Sequence, residues 1–450
     1  MFRPSMTRYA MAGELSIAYQ TVGEGPIDLI FVPGMVTQLE YLHEFPSYDE
    51  FLEGLSHFAR VVTFDKSGQG LSDRSFGAPS LEQRMDDIRA IMDDIGTKRC
   101  VLLGGSEGCP IASLFAATFP TKVSHLILFG GFARFTAVDG YPYMRSEDDM
   151  IGRMETMAKH WGTGELAIRG WLPSSLCNPD AVQRFATLER LTCSPGALRT
   201  MYRQNMMIDV RPVLPGVKVP TLVLHRARDA LVPLENGQYL ARNIPDARLI
   251  VYEDAIDHLI FAGDIGQIVN DIQSFVTGSI ADASIGTRVL ATVLFTDIVR
   301  STSRAAEIGD TAWRSLLSEH DDCCRKTVTR HRGFLVKTTG DGILATFDGP
   351  GRAIKATLEV RERMASFGIP IRAGLHTGEI ELLPGDVAGI AVHAAARVMS
   401  QAEAGEVLVS RVVKDLVAGG GFDLVEKGRF DLKGLPEAWD LYAVAIRKNL

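Results

Sequence analysis

Two domains in tandem are predicted for this 450-residue chain: an α/β domain over residues 1–276, a linker over 277–288, and an α+β domain over 289–450. Three observations predict this. The length exceeds what one hydrophobic core usually supports. The first part alternates short apolar runs with amphipathic helical stretches, the pattern of a largely parallel sheet covered on both faces. Beyond residue 289 that alternation stops, and a long amphipathic helix precedes a hairpin-like segment.

In the first domain the strand candidates are 29–32, 61–64, 100–103, 125–129, 221–224 and Arg248–Tyr252, each short, apolar and β-prone. Between them Leu81, Met85, Ile88, Met92 and Ile95 recur at three- and four-residue intervals, which puts them on one helix face. Residues 133–215 break the rhythm. They are rich in Met, Trp, Arg and Pro, and an insertion of that length between strands reads as several short helices forming a cap. Trp161 and Trp171 in it read as packing residues or as the lining of an acyl pocket, and His225 at a strand end as a structural histidine. The run TGSIADASIGT that follows has linker composition.

In the second domain a strand over 289–295 leads into a helix starting near Ser301 or Thr302. A second helix, 311–330, carries Trp313, Leu316, Leu317, Cys324 and Val328 on its apolar side. Residues 334–347 read as a hairpin turning at Asp341-Gly342, a dipeptide that readily takes positive φ.

Composition narrows the function. A formal net charge of −8 argues against a general nucleic-acid or anionic-membrane binder, since both would repel an acidic surface. The first ten residues include polar and charged ones where a secretion signal needs an apolar core, and no apolar run approaches the ~18 residues of a membrane span. Six cysteines lie without metal-ligand spacing, and Cys323 and Cys324 read as a core thiol and a partly exposed neighbour. The expected location is a reducing cytoplasm.

Chemistry enters first at Gly104-Gly105-Ser106-Glu107-Gly108, between an apolar strand and a helix that opens near Pro110. Glycines on both sides permit the sharp turn that lifts a serine hydroxyl out of a sheet. Asp229 follows a later strand and His258 the next, in the order Ser, Asp, His. With Phe64-Asp65-Lys66-Ser67-Gly68-Gln69-Gly70-Leu71-Ser72-Asp73, these features resemble the α/β-hydrolase family over roughly residues 15–276. The resemblance implies Ser106 as nucleophile, His258 as its base and Asp229 orienting the imidazole. It places the oxyanion donors at the backbone N–H groups of Met35 and Glu107. Two departures stand out. Val32-Pro33-Gly34-Met35 lies where many members carry His-Gly, and the Glu107 carboxylate beside the nucleophile is expected to weaken oxyanion stabilisation. An esterase-like enzyme and a sensor of a small ester or lipophilic ligand both remain open.

The second constellation begins with Phe295-Thr296-Asp297-Ile298-Val299-Arg300-Ser301-Thr302, a carboxylate at a strand end before a helix whose N-terminal amides suit phosphate oxygens. Asp341 sits near a hairpin tip within Thr339-Gly340-Asp341-Gly342. Singly these aspartates read as a helix cap and a turn residue. Paired on adjacent strands, two carboxylates can hold two divalent cations that activate a hydroxyl and neutralise a leaving pyrophosphate.

Over about 289–446 the pattern resembles the class III adenylyl/guanylyl cyclase family. The resemblance implies that Asp297 and Asp341 bind two Mg²⁺ or Mn²⁺ ions with the Ile298 carbonyl assisting. It implies that Lys337 and Asp386 select the purine. A lysine donor and an aspartate acceptor complement the N1 and exocyclic amine of adenine, so this pair favours ATP. Val392-His393-Ala394-Ala395-Ala396-Arg397-Val398 matches the helix carrying two transition-state residues, with Arg397 in place and His393 where asparagine is usual. Lys433 falls where a lysine reaches the triphosphate. In that family the metal carboxylates act from one subunit and the remaining residues from its partner, which implies a head-to-tail homodimer. The function expected is an adenylate cyclase converting ATP to 3′,5′-cyclic AMP and pyrophosphate. The alternatives are a guanylate cyclase, or a serine esterase whose cyclase domain is weak or vestigial.

Overall fold

The computed structural model describes residues 4–74, 79–278, 288–383 and 385–445. The chain folds as two compact units, Met1–Ile285 and Gly286–Leu450.

The first unit is built on an eight-stranded sheet of β1 (Arg8–Ala12), β2 (Leu15–Val22), β3 (Ile27–Val32), β4 (Ala59–Phe64), β5 (Cys100–Gly105), β6 (Val123–Phe129), β7 (Thr221–Arg226) and β8 (Arg248–Tyr252), in the order β1-β2-β4-β3-β5-β6-β7-β8. From β4 to β8 every neighbouring pair is parallel. The hairpin β1–β2 adds an antiparallel edge that the sequence does not announce. Four of the five β1 residues escape full burial, so β1 carries no apolar run.

Helix Leu81–Asp94 opens with a capping box in which Ser80 and Gln83 satisfy each other's backbone N–H groups. It buries Met85, Ile88 and Met92 as their spacing requires, and on the same helix Arg84 and Asp87 are buried too. Between β6 and β7 lie four helices, Glu147–Lys159, Glu165–Trp171, Pro179–Thr192 and Pro195–Met206. The first buries Met150, Met154 and Met157. The closing helix, Ile265–Gly278, runs through Thr277, whose hydroxyl donates to the Gln273 carbonyl at 2.7 Å. Thr277 and Gly278 are therefore helical and Arg288 already lies in a strand, which trims the linker expected at 277–288 from both ends. Its remainder, 279–287, lies outside the described residues.

The second unit is a mixed sheet of β9 (Arg288–Ile298), β10 (Gly333–Thr338), β11 (Ile343–Phe347), β12 (Ile371–Leu383), β13 (Asp386–Ala388), β14 (Val407–Ser410), β15 (Leu424–Asp431) and β16 (Ala438–Val444). The order is β10-β11-β9-β12-β14-β16-β15, with β13 paired to β12. Leu294, Ile298, Ile343 and Ala345 pack with Val328 and Val360 of helices Asp310–Arg330 and Pro350–Ser366. Val293 and Leu344 pack with Ala391 and Ala395 of helix Ile390–Ser400 in a separate cluster.

The β10–β11 turn differs from its expected form. Positive φ falls on Gly340 (95°), not on Asp341 or Gly342, and a bond from Thr339 N–H to the Gly342 carbonyl at 2.8 Å closes the loop. Gly342 serves another purpose. A Cβ there would lie 1.8 Å from the Thr296 carbonyl oxygen, so only glycine lets the hairpin approach β9 this closely.

Candidate active sites

In the first unit Ser106 follows β5 with φ of 52°, the strained conformation that projects a serine from a strand-to-helix turn. The helix after it, Gly108–Thr118, starts against β3. A Cβ on Gly108 would meet the Val32 carbonyl at 2.1 Å. His258 Nδ1 pairs with Asp229 Oδ2 at 2.6 Å, while Asp229 Oδ1 accepts the Leu231 and Val232 amides at 2.9 and 3.0 Å. Burial raises the Asp229 carboxyl, and the adjoining His258 together with these hydrogen bonds outweighs it, leaving the acid below its usual range. His258 Nε2 is buried and makes no hydrogen bond, and His258 lines the same cavity as Ser106.

The histidine loop is fixed from several sides. Trp171 accepts the His258 and Leu259 amides at 2.9 and 3.2 Å. Ser174 donates its amide and hydroxyl to Asp257 at 2.9 and 2.7 Å. The buried Arg226 guanidinium donates to the carbonyls of Asp257, Leu259 and Ala262.

Where the family's usual His-Gly is replaced, the oxyanion loop is held from behind. Lys66 Nζ, 2% exposed, donates to the Gly34 carbonyl at 2.7 Å and the Pro33 carbonyl at 3.2 Å, and Gln69 Nε2 donates to the Met35 carbonyl at 2.5 Å. In a trans peptide the C=O and N–H point opposite ways. Holding the Gly34 carbonyl therefore turns the Met35 N–H away from Lys66. The Met35 and Glu107 amides donate to no other group among the described residues.

The Glu107 carboxylate corrects one expectation. It is 1% exposed and held by Arg84 and by Lys66, 3.2 Å away. Burial raises it, and these two cations more than reverse the effect. Its charge is compensated behind the nucleophile, so it does not oppose an oxyanion as a free carboxylate would. Lys66 in turn is lowered to about 8, burial outweighing the pull of Glu107. Lys66, Gln69, Arg84 and Arg226 are the residues that sequence reasoning missed. The signal for two of them lay in the Phe64–Asp73 run, and for Arg84 in a charge placed among buried helix positions.

Ser106 opens onto two narrow cavities. One, lined by Pro33, Leu42, Phe129, His258 and Phe261, runs under the oxyanion loop. The other, lined by Phe132, Phe135, Met150, Met157 and Tyr202, runs under the cap. Trp171 lines both. Trp161 instead donates its indole N–H to the Cys193 carbonyl at 2.8 Å, and His225 pairs with the Val232 carbonyl at 2.8 Å.

In the second unit Asp297 lies near the end of β9 and Asp341 at the hairpin, tied by a 3.0 Å bond from the Ile298 amide to the Asp341 carbonyl. Arg372 Nε and Nη2 donate to Asp297 Oδ2 at 2.8 and 2.5 Å, and the Ser301 hydroxyl donates to Asp341 Oδ2. Burial raises the Asp297 carboxyl, and the neighbouring Asp341 adds to that against the opposing Arg372. The two acids thus share one cluster, with hard oxygen donors suited to Mg²⁺ or Mn²⁺. Among the described residues no third acid, histidine or cysteine joins them.

Lys337 Nζ binds both oxygens of Asp386, at 2.8 and 2.6 Å, and holds that acid below its usual range. His393 and Arg397 are exposed, four residues apart and hence on one face of helix Ile390–Ser400. Lys433 is exposed in the β15–β16 turn beside the buried Leu432. Among the described residues no hydrogen bond or ion pair joins the Asp297–Asp341 cluster to Lys337, Asp386, His393, Arg397 or Lys433. Cys324 is buried and Cys323 half-buried, both as free thiols.

A largely parallel-sheet unit with a Ser–His–Asp arrangement under a helical cap, followed in the chain by a mixed-sheet unit with paired acids, defines a serine-hydrolase-like domain joined to a nucleotide-cyclase-like domain. The chain belongs to the α/β hydrolases over residues 44–264, matching the family described as Serine aminopeptidase, S33, and to the Adenylate and Guanylate cyclase catalytic domain family over 287–445. It is 30% identical over 217 residues to a pimeloyl-[acyl-carrier protein] methyl ester esterase of Neisseria meningitidis, a match covering 46% of this chain and 80% of that protein. To the serine hydrolase BPHL of Mus musculus it is 26% identical over 268 residues, covering 56% and 81%. A hydrolase from Pseudomonas aeruginosa PA01 superposes with a TM-score of 0.52 at 22% identity, covering 60% of this chain and 98% of that one, which speaks to the fold of the first unit. Among the described residues no helix is long and apolar enough to cross a membrane.

Proposed function

We propose that the chain is an adenylate cyclase that converts ATP to 3′,5′-cyclic AMP and pyrophosphate. The observation that carries this reading is the Asp297–Asp341 cluster at the hairpin, to which the family resemblance adds the Ile298 carbonyl. These oxygens would hold two divalent cations, which supply Lewis-acid activation of a hydroxyl and neutralise triphosphate charge. Lys337 would donate to adenine N1 and Asp386 would accept from the exocyclic amine, each exchanging its present partner for the base. Arg397 would meet charge developing at phosphorus, His393 would donate one further hydrogen bond and Lys433 would hold the triphosphate. Because no hydrogen bond or ion pair among the described residues joins these groups to the acid pair, we assign them to opposite members of a head-to-tail homodimer.

Cyclic AMP should form from ATP and Mn²⁺ with the full chain, and Asp297→Ala should abolish it; undiminished product would remove the site assignment. Lys337→Glu with Asp386→Cys should lower the ATP-to-GTP rate ratio, and an unchanged ratio would remove the purine-selection argument. An inactive Asp297→Ala chain mixed with an inactive Arg397→Ala chain should regain activity, since one composite site is then intact.

For the first unit we propose ester hydrolysis through Ser106, His258 and Asp229. The free His258 Nε2 and the unpaired Met35 and Glu107 amides favour this over a sensor. Turnover of 4-nitrophenyl acetate lost on Ser106→Ala supports it; an ester-insensitive protein whose cyclase rate responds to small lipophilic ligands would support the sensor.

A further inference from the structure

The two cavities at Ser106 are chemically unequal. His258 lines only the cavity under the oxyanion loop. General-acid catalysis requires the histidine to protonate the departing oxygen, so the alcohol lies in that cavity and the acyl chain in the one under the cap. The cap cavity is about 40 Å³ and lined by Met144, Met150 and Met157, unbranched side chains that adapt to an entering chain. Its lining also includes two arginines, the exposed Arg145 and the half-buried Arg153. Arg153 reaches over Gly170, where a Cβ would lie 3.3 Å from Nη2, and it neighbours the Tyr202 hydroxyl. Neither arginine pairs with a carboxylate among the described residues.

Two arginines without acidic partners among the described residues, in the lining of a largely apolar cavity, offer more than a purely hydrocarbon ligand would use. They match a chain that ends in an anionic oxygen group, which guanidinium binds through paired N–H donors. We propose that the Ser106 site takes half-esters of dicarboxylic acids: the ester at Ser106, an apolar acyl chain along the methionines, and the free carboxylate at Arg145 and Arg153. The inference rests on the esterase reading of this site. Attack by the Ser106 oxygen on the ester carbonyl breaks the acyl–oxygen bond. The alcohol leaves with the proton that His258 took from Ser106. Water then attacks the acyl-enzyme, giving the dicarboxylate and regenerating the serine.

The test compares monomethyl adipate and monomethyl suberate with methyl hexanoate and methyl octanoate on the full chain. The half-esters should have kcat/KM about 10- to 100-fold higher, the contribution of one or two charge-assisted hydrogen bonds. Arg145→Gln with Arg153→Gln should erase the preference, bringing kcat/KM for the half-esters down to that of the neutral esters measured on the same variant. In parallel, calorimetry should detect adipate or suberate binding to Ser106→Ala, and that binding should vanish when both arginines are also replaced. Equal use of neutral and anionic esters with no dicarboxylate binding overturns the inference while the esterase stands. Dicarboxylate binding without turnover of any ester supports the anion-binding cavity and overturns the esterase. Neither binding nor turnover overturns both.

Discussion

Replacing Lys66 by methionine isolates the device that holds the oxyanion loop. The substitution nearly conserves volume and removes the ammonium that lies 2.7 Å from the Gly34 carbonyl, 3.2 Å from that of Pro33 and 3.2 Å from the Glu107 carboxylate. Losing one member of a buried ion pair costs about 3–5 kcal/mol. Glu107 keeps Arg84 as a partner, so the lower end, about 3 kcal/mol, is expected in urea unfolding of the full chain. The rate effect is separate. Once the Gly34 carbonyl is released, the Met35 amide loses its fixed direction, and one misplaced oxyanion donor costs about 10²–10³ in kcat. KM for 4-nitrophenyl acetate should change little, because Lys66 lines neither cavity at Ser106. Gln69→Leu is the companion: it frees the Met35 carbonyl and gives up a contact to Met201 Sδ but leaves no charge unpaired, so a smaller kcat loss with a smaller loss of stability is expected. If Lys66→Met keeps the wild-type kcat while unfolding earlier, the ammonium is a structural counter-ion and the argument from peptide geometry fails.

Three further outcomes follow from the charges. Asp87 is buried and its carboxyl is pushed up to about 7, burial overcoming the Ser67 hydrogen bonds and Arg84. Between about pH 4 and 7 the folded state then binds more protons than the unfolded one, so stability falls as pH rises, by at most about 4 kcal/mol from this group. Urea midpoints at pH 5 and 7.5 should converge in Asp87→Asn relative to the wild type; equal pH slopes in both proteins would contradict the assignment. Arg372→Gln removes the guanidinium that occupies Asp297 Oδ2, so Mn²⁺ should bind about 10- to 100-fold more tightly by calorimetry, the scale of one charge-assisted hydrogen bond. Weaker Mn²⁺ binding would mean that Arg372 organises the acid instead of competing for it. His393→Asn restores an amide donor at an exposed helix position, and the cyclase rate should rise about tenfold or more. A fall would show imidazole to be the better donor here.

Much of both units could be read from local pattern. Each expected strand of the first unit lies within an observed one, because fully buried parallel strands such as β5 are continuous apolar runs. Ser106 was legible because a strained turn needs small residues around it. The acid pair was legible because Asp297 and Asp341 sit at predicted element ends. What pattern concealed were long-range polar contacts. Lys66 finds Gly34, 32 positions away, and Arg226 finds Ala262, 36 away. Arg372 meets Asp297 across 75 residues, through the β9–β12 register. No periodicity encodes such a bond, since it exists only after the sheet is assembled. The hairpin misreading has a related cause. Asp341-Gly342 has the composition of a two-residue turn, yet Gly342 is required by the approach to Thr296, a contact outside the hairpin's own sequence.

The two sites treat buried negative charge in opposite ways, and the difference fits their chemistry. Behind Ser106 the single carboxylate of Glu107 faces two cations, Lys66 and Arg84. That pairing offsets the Glu107 charge, so the Met35 and Glu107 amides would donate to an oxyanion without a free carboxylate beside them. At the hairpin two carboxylates, Asp297 and Asp341, face the single guanidinium of Arg372, and Ser301 contributes a hydroxyl without charge. One negative charge is left over in a partly buried place. Such an excess is costly in a protein interior unless a cation relieves it, and the Asp297 acid is raised, by burial first and by the neighbouring Asp341 in addition. A divalent cation would relieve it more completely than one arginine does, because it brings two charges and accepts several oxygens at once. On the proposed two-cation reading, Arg372 would hold the place that a metal ion takes when bound. Adding Mn²⁺ should therefore raise the unfolding midpoint of the second unit, and should do so less in Asp341→Asn, where the excess charge is already gone.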